Sequence, residues 1–145
     1  MSSIIEKYMP LEEGEKVLQE MEGNAYNFGA NVFARLFGLI DRIVSVVTGT
    51  TKKVHLITTD RRVVTIEVNK VLWFIDATVL SRSFSARSVR SVGYRLARSL
   101  LIFKSHYLDF DTGSMHYTIK SRTGQREVTT MIQRITTLAD PVSQK

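Results

Sequence analysis

The chain of 145 residues is 43% hydrophobic and 23% charged, with eight glycines, two prolines and no cysteine. That size and balance predict one globular domain, residues 1–145, and exclude a disordered or fibrous chain, a disulfide framework and a thiolate metal site. The net charge of +6 is unevenly spread: residues 1–28 carry six glutamates against two lysines, whereas no acidic residue lies between Asp76 and Asp109.

The opening MSSIIEKYMPLEEGEK has no basic stretch followed by an apolar one, so no cleaved secretory signal is expected and a cytoplasmic setting is assumed. Ser3 and Glu6 have capping-box spacing, which predicts a short helix that Pro10 must stop. Residues 1–13 form an extension, the core spans about 14–138, and 139–145 is a flexible tail. Glu15 to Glu22 precedes a Gly23-Asn24 break and is assigned as the first strand from that position.

From Ala30 to Val47 apolar residues recur at helical spacing, among them Phe33, Leu36, Ile40 and Ile43. Val32, Leu39 and Val46 add a second stripe, so only a narrow polar band of Arg35, Gly38, Asp41, Arg42 and Ser45 remains. A surface helix needs an apolar arc of only about 100° or somewhat more, so the surplus must be covered. Arg35, Asp41 and Arg42 speak against a membrane span, and two arginines beside an aspartate make a poor membrane-surface face. Burial against another chain or deeper in the fold is favoured, with Val32, Phe33, Leu36, Leu39, Ile40, Ile43 and Val46 as the protein interface.

Lys53 to Ile75 (KVHLITTDRRVVTIEVNKVLWFI) predicts a central hairpin turning at Asp60-Arg61, because β-branched and aromatic residues crowd both arms. Pairing Thr59 with Arg62 sets Ile57 opposite Val64 and His55 opposite Ile66. Asp76-Ala77 is expected to be the next reversal, with Trp73 and Phe74 on opposite faces and Thr78 to Ser85 as the fourth strand. A polar link, Ala86 to Ser91, leads to a fifth strand over Val92 to Ala97. Ser99 to Phe110 and Ser114 to Lys120 form a hairpin around Asp111-Thr112-Gly113. Its expected register sets Leu108 against Tyr117, Phe110 against Met115, His106 against Ile119 and Asp109 against His116. After Thr123-Gly124, Val128, Met131, Ile132, Ile135 and Leu138 give one apolar stripe on a helix of about four turns, stopped before Pro141.

Seven strand candidates followed by one amphipathic helix resemble the order of a pleckstrin-homology (PH) domain. Leu56 to Val64 (LITTDRRVV) resembles the apolar-Thr-x-x-Arg-apolar turn of bacterial PH-like domains, Ser88 to Val92 (SVRSV) their short strand entry, and Gly14-Glu15 the approach to their first strand. The resemblance implies an α+β, mainly β fold: a seven-stranded PH-like barrel of two packed antiparallel sheets capped by the C-terminal helix. The 30–47 helix is an insertion between strands 1 and 2, where phosphoinositide-binding members carry a basic loop. That loop's motif is absent, so lipid-headgroup binding does not carry over, and the tryptophan common in the C-terminal helix of eukaryotic members is missing too.

His55, His106 and His116 fall on separate strands without metal-ligand spacing. Asp109 opposite His116 could orient an imidazole for general base work, but that also needs a nucleophile and a pocket, and such cross-strand pairs are common on exposed sheet faces. No phosphate-binding glycine loop occurs. The expectation is a non-catalytic scaffold without cofactor, metal or small-molecule substrate, which binds itself or another protein through the 30–47 helix and its strand edges. The alternative is a peripheral adaptor for anionic membranes, using that helix and an anionic-partner tract of Arg82, Arg87, Arg90, Arg95 and Arg98. A nucleic-acid binder ranks third, because strand alternation divides those arginines between two faces.

Overall fold

The computed structural model describes residues 3–26, 51–72, 74–99 and 103–140. The predicted helix from Ala30 to Val47, its interface residues and Trp73 lie outside these residues.

The described elements are α1 (Ser3–Tyr8), β1 (Val17–Tyr26), β2 (Thr51–Thr59), β3 (Val63–Val71) and β4 (Ile75–Phe84), then a 3₁₀ turn (Ala86–Ser88), β5 (Ser91–Ser99), β6 (Phe103–Asp111), β7 (His116–Ser121) and α2 (Gln125–Ala139). The strands form one antiparallel sheet in the order β4-β3-β2-β1-β7-β6-β5. It is not the closed barrel of the sequence reading, because β4 and β5 end the sheet without pairing to each other.

The sheet is nevertheless strongly curved. Phe84 on β4 and Phe110 on β6 are five strand spacings apart, about 24 Å in a flat sheet, yet their rings meet edge to face with centroids 6.1 Å apart. The concave side holds the main core, in which Met21, Val54, Leu56, Val63, Leu108, Phe110 and Ile119 pack with Val128, Met131 and Ile135 of α2. The apolar stripe predicted for α2 therefore faces the core as expected. On the convex side Ile5 is buried against Ile57, Val64, Ile66 and Val68, with Tyr8, Met9 and Leu11 beside it. The segment taken as an extension thus covers the outer face of the central hairpin.

The joint between the two halves of the sheet is Gly23. It pairs with Val54 of β2 and with Ser121 of β7. A Cβ there would fall 2.2 Å from the Lys120 carbonyl oxygen, so β7 can approach only a glycine. The Gly23-Asn24 pair read as a break is instead the interior of β1, which runs on to Tyr26.

The central hairpin has the predicted register, with Ile57 opposite Val64, His55 opposite Ile66, and the Thr59 N–H donating to the Arg62 carbonyl at 2.9 Å. Two other expectations need correction. The β3–β4 reversal comes before Asp76, between paired Val71 and Ile75, with Leu72 at φ 53°. Asp76 belongs to β4 and pairs with Lys70, and a bulge leaves Ala77 unpaired. The β6–β7 hairpin is shifted by two residues, with Phe110 opposite Tyr117, Leu108 opposite Ile119 and Asp109 opposite Thr118. Its turn occupies four residues, closed by the Thr112 N–H to the Met115 carbonyl at 3.0 Å and by the Gly113 N–H to Asp111 Oδ1 at 2.6 Å. Because the shift is even, every side chain keeps its predicted face.

Candidate functional site

Three polar constellations and two sheet edges compete for attention. At the hairpin turn, the Arg62 guanidinium donates to both Glu15 oxygens at 2.9 Å and to the Pro10 carbonyl at 3.1 Å. The Thr59 hydroxyl donates to Glu15 Oε1 at 2.7 Å. The Arg62 hydrogen bonds, with that of Thr59, hold the Glu15 carboxyl down at about 2 against an ordinary 4.5. This knot ties the N-terminal segment to β2 and β3, and it has its charge balanced within itself.

On the convex face an open groove of about 460 Å³ lies between α1 and the middle of β1, β2 and β3. His55 Nδ1 is 3.2 Å from Glu20 Oε1. Lys53 donates to Glu22 at 2.9 Å, and Lys7 and Lys70 flank Asp76 at 3.7 and 3.6 Å. Burial works to raise the Glu22 carboxyl, but Lys53 and Arg122 outweigh it and the pKa is lowered. Each cation of this groove faces a carboxylate, so no net field remains to draw a charged ligand.

On the concave side Tyr117 donates to Glu67 at 2.6 Å, Arg82 Nη1 donates to the Tyr117 hydroxyl at 3.0 Å and also meets the Met115 sulfur, and Lys52 lies 3.3 Å from Glu67. Burial, followed by Glu67, raises the Tyr117 pKa. Thr65, opposite Arg82, is fully buried and its hydroxyl finds no hydrogen-bond partner among the described residues.

The anionic-partner tract does not gather into one patch. Arg82 is turned into the concave cluster, Arg87 is exposed on the 3₁₀ turn, and Arg90 lies across the β6–β7 turn beside Gly113. Arg95 pairs with Asp109 at 2.8 Å on the convex face, while Arg98 faces Lys104 across the β5–β6 ladder. Strand alternation sets Arg95 and Arg98 on opposite faces of β5, whereas Arg87 and Arg90 lie outside the strands. Asp109 accepts from Thr118 at 2.7 Å as well as from Arg95, so the predicted Asp109–His116 pair does not form; His116 stands opposite Asp111. His106 is instead hydrogen-bonded to the Tyr94 hydroxyl at 2.8 Å, a relationship that sequence spacing did not reveal. Among the described residues no three His, Asp or Glu side chains are placed to hold a metal ion, and no helix is long and apolar enough to cross a membrane.

What remains is the pair of sheet edges. β4 and β5 run for 10 and 9 residues, and among the described residues no strand pairs with the outer side of either. Large apolar side chains are exposed along β4 and its preceding loop, including Phe74 at 73%, Ile75 and Leu80. Natural edge strands are usually guarded by proline, lysine or bulges. β4 has neither proline nor lysine; its charges are Asp76 and the inward-turned Arg82, and its one bulge lies at Ala77. β5 carries Arg95 and Arg98.

No protein-family model, curated protein or solved structure matches the chain.

Proposed function

We propose that this chain is a non-catalytic PH-like scaffold module that assembles with copies of itself, with β4 as the principal edge. The observation that carries this reading is a ten-residue edge strand with exposed Ile75 and Leu80 and with neither proline nor lysine to block pairing. Two-fold pairing of β4 with β4 would continue the sheet across two copies and give each unpaired edge N–H and C=O a partner. The apolar 30–47 segment, with Val32, Phe33, Leu36, Leu39, Ile40, Ile43 and Val46, supplies a second surface to the same assembly. Support for the PH-like assignment comes from the strand order: seven meandering strands curve round one core and a C-terminal helix packs into it.

Size-exclusion chromatography with light scattering tests the reading. The expected mass at micromolar concentration is at least twice the chain mass of 16.5 kDa. A monomer that captures no copy of itself in a pull-down contradicts it.

A further inference from the structure

The β3–β4 hairpin ends in apolar residues that pairing along β4 leaves uncovered. Val71 and Ile75 close its ladder as a cross-strand pair, and Leu72 and Phe74 lie in the turn beyond them. All four are exposed, Val71 at 37%, Leu72 and Ile75 at 48% each and Phe74 at 73%. Leu72 holds φ 53°, a left-handed conformation that glycine or asparagine adopts at less cost. The turn therefore carries a large apolar side chain where backbone geometry favours a small or polar one. At its base Asp76 is flanked by Lys7 and Lys70 at 3.7 and 3.6 Å, so little net charge stands there.

We infer that this hairpin tip inserts into the surface of a lipid bilayer. Leu72 and Phe74 lead into the boundary between headgroups and acyl chains, and Val71 and Ile75 follow. The attraction is apolar rather than electrostatic, because the cations at the base already face a carboxylate. Insertion is shallow, since the backbone N–H and C=O groups of a turn need water or headgroups as partners. A protein surface fits this tip less well. Even wholly uncovered, four such side chains present at most about 500 Å², against the roughly 800 Å² that each partner brings to a stable interface. A protein would also cover one side of the hairpin, whereas a fluid bilayer closes round its end from every side. Pairing of β4 with β4 occupies residues 75–84 and leaves Leu72 and Phe74 beyond the strand. Membrane contact at the tip does not require self-assembly.

Titration of the full chain with phosphatidylcholine vesicles tests this, read by co-sedimentation and by the fluorescence of Trp73. That residue is the one tryptophan of the chain and stands between Leu72 and Phe74 in sequence. Wild type is expected to sediment with the vesicles at low and at high salt, with its emission moved to shorter wavelength. L72G/F74S, in which glycine fits the backbone at 72, should keep the circular dichroism of wild type and weaken binding about tenfold for each side chain removed. F103S, at a residue 63% exposed on β6, should bind like wild type. Failure of wild type to bind, sedimentation without a change in emission, or full binding by L72G/F74S overturns the inference. Binding confined to vesicles that contain phosphatidylserine, and lost at high salt, overturns it in favour of a basic surface elsewhere. An emission shift that follows protein concentration without vesicles overturns it in favour of a second copy of the chain.

Discussion

Tyr117 on β7 donates a 2.6 Å hydrogen bond to Glu67 on β3, although the two strands stand three places apart in the sheet. Flat, that separation would be about 14 Å. The bond therefore exists only because the sheet curves, and it fastens the two halves together across the mouth of the concave core. Replacing the hydroxyl in Y117F leaves Glu67 with Lys52 alone and removes one acceptor of Arg82. The expected loss is about 1–2 kcal/mol in urea unfolding at neutral pH. Because burial and Glu67 raise the Tyr117 pKa above 10, the phenol's contribution is complete below pH 10 and is lost as pH rises through the folded value. The gap between wild type and Y117F should narrow there; a constant gap refutes the hydrogen bond as its cause.

Gly23 is the second fastening. A Cβ would meet backbone at Lys120 rather than the end of a flexible side chain, so β1 and β7 must separate to admit it. G23A should cost about 1–3 kcal/mol, read as a lower midpoint in thermal unfolding. Equal stability would show that β7 does not approach this closely.

Glu15 gives an acid-sensitive contribution. Its carboxyl titrates at about 2 in the fold against 4.5 as an ordinary carboxylate, so its stabilisation is fully present above about pH 4.5 and disappears as pH falls toward 2. E15Q should be about 2–3 kcal/mol less stable than wild type at pH 7, and the two should converge near pH 2. Parallel stability curves across that range would contradict the pairing with Arg62.

Much of the architecture was legible where one periodicity dominated. The 58–63 turn and the α2 stripe of Val128, Met131 and Ile135 emerged with their partners because burial on one face fixes register. Elsewhere local chemistry misled. Gly23-Asn24 has the composition of a break, and only the proximity of Lys120, nearly a hundred residues away, makes the glycine a strand residue. The Asp111-Thr112-Gly113 turn signal was correct in place but not in length, which is why Asp109 met Thr118 and not His116. Curvature itself has no local signal: nothing near Tyr117 or Phe84 announces Glu67 or Phe110. The candidate surfaces were legible only in part, since charge along the chain showed the basic tract but not that Arg82 and Arg95 would be engaged internally.

The proposed assembly through the β4 edge fixes the mass expected in solution. Light-scattering mass, measured side by side for wild type and I75K/L80K, tests it most directly. Lysines at these two exposed positions add like charge to a pairing edge without disturbing the core. Wild type is expected at two or more times 16.5 kDa and the variant, with unchanged circular dichroism, at the mass of one chain. Wild type at the mass of a single chain, or a variant as large as wild type, would contradict it.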